Sequence, residues 1–227
     1  MIPMQYALRR RMMVSGSASA PLSDLPIGSL IRCEDGGAGT ANYEIASFDA
    51  FVSGDVCLVR KDIYGICQIY SSSPYQYTDC AMDKYMQNTV RGNLDAKLQA
   101  ILIPVTFNTW GNNTSSITRD IFIPTCTMLR ADRSNVSSGS NLSTEGPQLS
   151  LYTSNASRIK KYNGTATRWW SLSRYGGSAW YFIETNGTLS WGWGDDTTRG
   201  AVPTFVIPSS TKYSLTPNSD GSYNLAL

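Results

Sequence analysis

Trp180-Tyr181-Phe182-Ile183-Glu184-Thr185-Asn186-Gly187-Thr188-Leu189-Ser190-Trp191-Gly192-Trp193 is the stretch on which the fold of this chain turns. Two aromatic-rich runs flank Asn186-Gly187, and Asn-Gly is the strongest short hairpin signal, because a type I′ turn needs positive φ at both central residues. With Asn186-Gly187 as a two-residue loop, Thr185 faces Thr188, Phe182 faces Trp191, Tyr181 faces Gly192 and Trp180 faces Trp193. Directly opposed residues share a face. The spacing therefore predicts one aromatic slab of Trp180, Phe182, Trp191 and Trp193, with Tyr181 and Ile183 on the reverse. Just upstream, Arg168-Trp169-Trp170-Ser171-Leu172-Ser173 reads as a further strand, so five of the six tryptophans fall between positions 169 and 193.

Composition narrows the function. The 227 residues suit one large domain with a small extension, and 41% hydrophobic content can fill a sizeable core. Charged residues make up 16%, against roughly 25% in ordinary soluble domains. Ser, Thr, Asn, Gly and Tyr take their place, a surface suited to adaptable binding. A net charge of +2 offers no broad field for nucleic acid or membrane. Histidine is absent, which removes the commonest general base and metal ligand and with them Ser-His-Asp and Cys-His catalysis. Cys33, Cys57, Cys67, Cys80 and Cys126 form no C-x-x-C pair, and their odd number argues against a disulfide framework. They read as small buried hydrophobes of a reducing compartment, with a Cys57–Cys67 bridge as the alternative. No signal peptide or membrane-spanning run is visible.

Residues 1–20 read as a separate arm and linker, either an anchor for docking on a partner, with Tyr6, Leu8, Arg9, Arg10 and Arg11 as candidate anchor residues, or a frayed, disordered tail. The body, 21–227, opens with short β-type runs at Ser29–Cys33, Tyr43–Phe48 and Val56–Arg60, bounded by Gly and Asp. Met82, Tyr85, Met86 and Val90 follow helical spacing behind a Thr78/Asp79 cap; Asn93 or Asp95 opens a second helix carrying Leu94, Leu98, Ile101 and Leu102. Strand-like Ile101–Phe107 and Ile117–Ile123 follow, then a long polar loop, 130–150, and final strands at 168–173, 180–185, 188–193 and 200–207.

The order of these pieces resembles a family from phages and prophages of gut Firmicutes. Its members carry a QYALRRRMM-like head, a PLSDLPIGSLI-like entry, an LVRKDIY-like strand, a helical pair, a DIFIP-like strand, a WWLRS-like signature, a Gly-turn hairpin and a GVRPAF-like closing strand. The matching segments here are Gln5 to Met13, Pro21 to Ile31, Leu58 to Tyr64, Asp120 to Pro124, Arg168 to Ser173, Asn186-Gly187 and Gly200 to Ile207. The C-terminal half of that family resembles the C-type-lectin-like fold of formylglycine-generating enzymes and phage tropism determinants. The resemblance implies an α+β fold: a C-type-lectin-like domain with a small twisted antiparallel sheet, two helices and long loops. Two departures stand out. WWLRS reads Trp169-Trp170-Ser171-Leu172-Ser173, and VRPA reads Ala201-Val202-Pro203-Thr204 with the nearest cation at Arg199. An arginine clamping the terminal strands is either missing or supplied from a shifted position.

By the same resemblance, the hairpin end away from the Asn-Gly turn faces a ligand. Tyr175, Trp180, Tyr181, Trp193, Asp195, Asp196 and Arg199 are the candidate receptor contacts, Trp180 at the rim, while Phe182 and Trp191 read as core. Calcium at Asp195-Asp196 lacks the other oxygens a site needs, and no cysteine falls C-terminal enough for formylglycine-generating chemistry, so no metal, cofactor or catalytic residue is expected. The implied function is a non-enzymatic virion protein for receptor binding or host adhesion, assembled in the bacterial cytoplasm. Its implied partners are other virion proteins and a bacterial surface protein or glycan, with neither nucleic acid nor membrane insertion. It is expected to be a homo-oligomer, as the commonly trimeric phage fibres are. The alternatives are a structural decoration or baseplate component, and a variable protein diversified by a retroelement.

Overall fold

The computed structural model describes residues 18–35, 39–70, 75–109, 116–131 and 145–227. The chain is mostly β, with 39% strand and 13% helix. Two sheets carry the body. The larger runs, edge to edge, Tyr223–Asn224, Leu30–Glu34, Thr40–Phe48, Asp55–Arg60, Thr204–Pro208 and Ile121–Phe122; the smaller runs Leu189–Trp193, Ala179–Ile183, Trp169–Gly176, Gly200–Ala201 and Gly65–Ile66. Between them lies a core in which Tyr43, Phe122, Trp169, Trp170, Trp180 and Phe205 are fully buried. Such rings fill volume at low entropy cost.

This architecture corrects the expected α+β, C-type-lectin-like fold. The runs read as strands at 29–33, 43–48 and 56–60 join Thr204–Pro208 in a six-stranded sheet, so the N-terminal part supplies as much sheet as the C-terminal part. The helical share is small. One run, 81–93, passes from Ala81–Lys84 through a π-helical stretch, Tyr85–Val90, to Arg91–Asn93, and a short helix, Ala96–Ala100, follows. Of the predicted stripe, Met82, Met86 and Val90 are buried and Tyr85 is half-buried. The cap is not: Cys80 Sγ accepts from Asp83 N at 3.4 Å, while Asp79 adopts φ 62° and its N–H bonds to the Asp83 carboxylate. Asp95 does cap the second helix, accepting from Lys97 N and Leu98 N.

The predicted closing strand 200–207 divides between the sheets. Gly200–Ala201 pairs with Gly65–Ile66, and Thr204–Pro208 pairs with Asp55–Arg60. Pro203 marks the crossing, because it has no N–H to give to a ladder; its carbonyl accepts from Arg60 N at 2.9 Å. Ser19–Pro21 pairs with Lys212–Ser214, so the strand pairing already includes the last residues assigned to the linker. The anchor residues Tyr6, Leu8, Arg9, Arg10 and Arg11 lie outside the described residues. All five cysteines are free thiols, so no Cys57–Cys67 bridge forms.

Charges inside the body are paired. Lys160 Nζ meets Glu44 Oε2 at 2.6 Å and the Arg60 carbonyl at 3.0 Å, Arg60 Nε meets Asp35 at 2.6 Å, and Arg119 grips Asp83 with two nitrogens. Asp55, fully buried, receives the N–H groups of Ala50, Phe51 and Val52 at 3.0, 3.0 and 2.9 Å and thereby builds the turn joining Thr40–Phe48 to Asp55–Arg60. Asp55→Ala orphans three donors, and hydrogen bonds to a charged group are worth ~1.5–3 kcal/mol each only while both partners remain. The expected loss in urea unfolding is ~3 kcal/mol; a change below ~1 kcal/mol would show that water replaces the carboxylate.

Candidate functional site

The hairpin carries the candidate site, in a register that differs from the predicted one. Ala179 faces Trp193, Trp180 faces Gly192, Tyr181 faces Trp191, Phe182 faces Ser190 and Ile183 faces Leu189. The connection is a three-residue loop. Gly187 N donates to Glu184 O at 2.9 Å, Glu184 N donates to Thr188 O at 2.8 Å, and Gly187 takes φ 81° as the left-handed residue of a bulged turn. Only glycine fits, since a Cβ there would stand 1.8 Å from the Asn155 carbonyl. One extra loop residue slips the register by one, and a slip of one moves a strand's side chains to the opposite face.

The predicted four-ring slab is therefore split. Trp180 and Phe182 turn inward, where Phe182 meets Trp170 edge to face at 6.0 Å. Trp191 and Trp193 turn outward, 46% and 61% exposed, on the face of Tyr181. The alternation Trp191-Gly192-Trp193-Gly194 follows from what lies behind the strand. A Cβ on Gly192 would meet Arg199 Nη2 at 2.6 Å, and one on Gly194 would meet the Tyr70 ring at 2.3 Å. Glycine faces the crowded side and tryptophan faces water.

A bulge in Trp169–Gly176 adds the third ring. Arg174 faces Trp180 and Gly176 faces Ala179, which leaves Tyr175 as the extra residue; bulges re-aim side chains in this way. Tyr175 stacks on Trp191, centroids 4.5 Å apart and planes within 5°, and meets Tyr181 edge to face at 5.6 Å. Beneath them Ser171, Ser173, Cys126 and Glu145 form a buried polar cluster: Ser173 Oγ donates to Glu145, Cys126 N to Ser173 Oγ at 2.9 Å, and Ser171 Oγ to Pro124 O at 3.1 Å. Being buried, the cluster fixes the strand from below and is out of a ligand's reach. Glu145 had no signal in a polar run without periodicity.

Of the predicted contacts, Tyr175, Trp193, Asp195 and Asp196 reach the surface at this end. Trp180, Tyr181 and Arg199 do not, being 0%, 2% and 6% exposed. Trp180 is turned inward by the register, Tyr181 lies under Tyr175, and Arg199 runs inward below Gly192. Its Cζ stands 3.9 Å from the Phe182 ring centre and 4.5 Å from that of Trp170, while Nη1 donates to Trp193 O at 3.2 Å and Nη2 pairs with Asp196 at 3.0 Å. Arg199 thus ties together the strands that carry Trp170, Phe182 and Trp193. Burial lowers its pKa against the opposing pull of Asp196. Partial burial of Asp196 works against its charge, but the Thr198 hydroxyl and N–H and the Arg199 guanidinium hold its carboxyl below the usual range. Trp191, read as core, belongs to the site. Glycine on alternate positions beside it was the available signal, because it marks a face that other atoms crowd.

The arrangement is a fixed platform of two exposed indoles and a stacked phenol, bordered by Asp195. Two clefts of about 270 and 280 Å³ flank Leu30–Glu34, share Arg32 and Thr40, and include none of these residues.

A mostly β chain with two main sheets, and an aromatic platform on the edge of the five-stranded one, is the class of protein that fold and site define. The chain belongs to the family described as domain of unknown function DUF6273, which matches residues 53–209, more than half of its length, and so includes the whole platform. Neither the curated proteins nor the solved structures yield a match.

Proposed function

We propose that this chain is a non-enzymatic binding protein of a phage particle, which meets a bacterial surface protein or glycan through Tyr175, Trp191 and Trp193. The observation that carries this reading is the exposure of two neighbouring indoles, 46% and 61%, on the outer face of an edge strand, with Trp191 held by its stack on Tyr175. Rigid rings give large contact area at small entropy cost and dominate binding hot spots. Clustered aromatic exposure of this kind marks interaction sites. The phage setting is supported by the order of the sequence motifs, from the basic head to the closing strand, and by a surface poor in charge. A chain without histidine, with its polar cluster sealed beneath the platform, supports binding over catalysis.

The test measures retention of the labelled protein on intact gut Firmicutes cells and on their purified wall polysaccharide. Trp191→Ala/Trp193→Ala is expected to weaken retention at least ~30-fold, the equivalent of one ~2 kcal/mol hot spot. Both rings are largely exposed and the main packing lost is the Trp191–Tyr175 stack, so unfolding stability should fall by no more than ~2 kcal/mol. Equal retention by the double variant refutes the assignment, whether the platform is idle or faces other virion proteins.

A further inference from the structure

Among the described residues, the strand that bears the platform is also an open sheet edge, and we infer that it pairs antiparallel with the same strand of a second copy of this chain. Glu184 N donates to Thr188 O and Gly194 N to Ser178 O, which fixes residues 188, 190, 192 and 194 as those bonded to the neighbouring strand. By the alternation of antiparallel ladders, the backbone groups of Leu189, Trp191 and Trp193 point the other way. Among the described residues no strand pairs with that side. The Trp193 carbonyl is used within the chain, accepting from Asp196 N and Arg199 Nη1; the N–H groups of all three residues and the other two carbonyls remain for a partner.

The other edges of the two large sheets are blunted by length. Gly65–Ile66, Tyr223–Asn224 and Ile121–Phe122 are two residues each, whereas Leu189–Trp193 has five. Short edge strands, charge, proline and bulges are the usual protections against edge pairing. Leu189-Ser190-Trp191-Gly192-Trp193 has none of them.

The edge is complementary to itself. Its outward residues are centred on Trp191, so a two-fold axis beside Trp191 opposes Trp191 to its own copy and Leu189 to Trp193. Trp191 against its copy is a full hydrogen-bonded pair, at each Leu189–Trp193 pair the Trp193 N–H donates to the Leu189 carbonyl while the Trp193 carbonyl stays with its own chain, and the strand contains no charge to repel itself. The two five-stranded sheets then form one continuous sheet. Opposed residues share a face, so both copies' indoles lie side by side and the platform is doubled. This use of the dimer rests on the proposed binding role; the pairing does not. With roughly 200 Å² of indole surface offered per copy, the interface is of the small, weak class.

Sedimentation velocity of the full chain from about 1 to about 300 µM should show a monomer–dimer shift. Hydrogen exchange should show the Trp191 amide slowing as concentration rises, while the Gly192 amide, bonded inside the sheet, is slow throughout. Trp191→Lys opposes two like charges, and Trp191→Pro deletes the outward N–H together with the indole; each should abolish the monomer–dimer shift, and in Trp191→Lys the amide of residue 191 should exchange at one rate at every concentration. A chain that stays monomeric at ~300 µM, or a dimer that survives both variants, overturns the inference. A monomer that still loses cell retention in Trp191→Ala/Trp193→Ala ends the dimer and keeps the binding face; a dimer whose retention ignores that double variant does the reverse.

Discussion

Trp170→Ala should be the most damaging single truncation at the hairpin, costing ~4–5 kcal/mol and lowering Tm by roughly 10–18 °C. The indole is fully buried, donates from Nε1 to the Cys67 carbonyl at 2.9 Å, and stands against both Phe182 and the Arg199 guanidinium. Its removal leaves a cavity, an unpaired carbonyl and an arginine that has lost one of its two ring partners. Burying a large aromatic is worth ~3–5 kcal/mol by truncation, and a cation over a desolvated ring adds up to ~2 kcal/mol. Trp170→Phe keeps a ring under the guanidinium but not the hydrogen bond, so roughly half the loss should return. Thermal unfolding of the two variants beside Trp191→Ala separates inner from outer tryptophans. If Trp191→Ala proved as damaging as Trp170→Ala, the register that sends these residues to opposite faces would be wrong.

That register was the part the sequence concealed. Asn186-Gly187 correctly locates the turn, yet the same letters suit a two-residue loop and a three-residue loop ending in left-handed Gly187. Nothing local separates these, because the Asn155 carbonyl that forbids a Cβ at Gly187 comes from a different part of the chain. Positions of strands were legible from β-branched and aromatic runs at 29–33, 43–48 and 56–60. Their assembly with Thr204–Pro208 was not, since pairing partners some 150 residues apart leave no periodicity to read. For the site, Tyr175, Trp193, Asp195 and Asp196 were legible as ring-bearing or acidic residues beside flexible glycines. Trp180, Tyr181 and Arg199 carry the same chemistry and are buried, because burial depends on faces and faces depend on register. Arg199 is instructive. The departure at Ala201-Val202-Pro203-Thr204 pointed to Arg199, whose guanidinium does join the closing segment to the rings of Trp170 and Phe182.

Above pH 9 the fold should lose stability steeply and be cooperatively unfolded by about pH 11. Burial pushes the thiols of Cys33 and Cys57 far above their ordinary 9.0, with Asp35 and Asp55 adding to the effect, and raises Cys80 to about 12. Desolvation likewise holds the phenols of Tyr43, Tyr77 and Tyr152 well above 10.0. In the unfolded chain these groups ionise at their ordinary values, while in the folded chain they keep their protons. The unfolded state therefore binds fewer protons, and each such group removes ~1.4 kcal/mol of stability per pH unit once the unfolded value is passed. Three thiols give ~4 kcal/mol per unit above pH 9, and the three phenols bring a similar slope above pH 10. Lys160 acts in the opposite direction. Burial lowers its pKa, so the folded chain releases that proton first and gains ~1.4 kcal/mol per unit up to the ordinary 10.5. One such group cannot offset six. With total stabilities of ~5–15 kcal/mol, the chain runs out of reserve within about two pH units. Urea unfolding at stepped pH, in reductant, measures the slope, and Cys57→Ala should lower it by one group's share even where cavity formation lowers the stability itself. A stability that stays level from pH 8 to pH 11 would mean that these thiols and phenols reach solvent in the native fold.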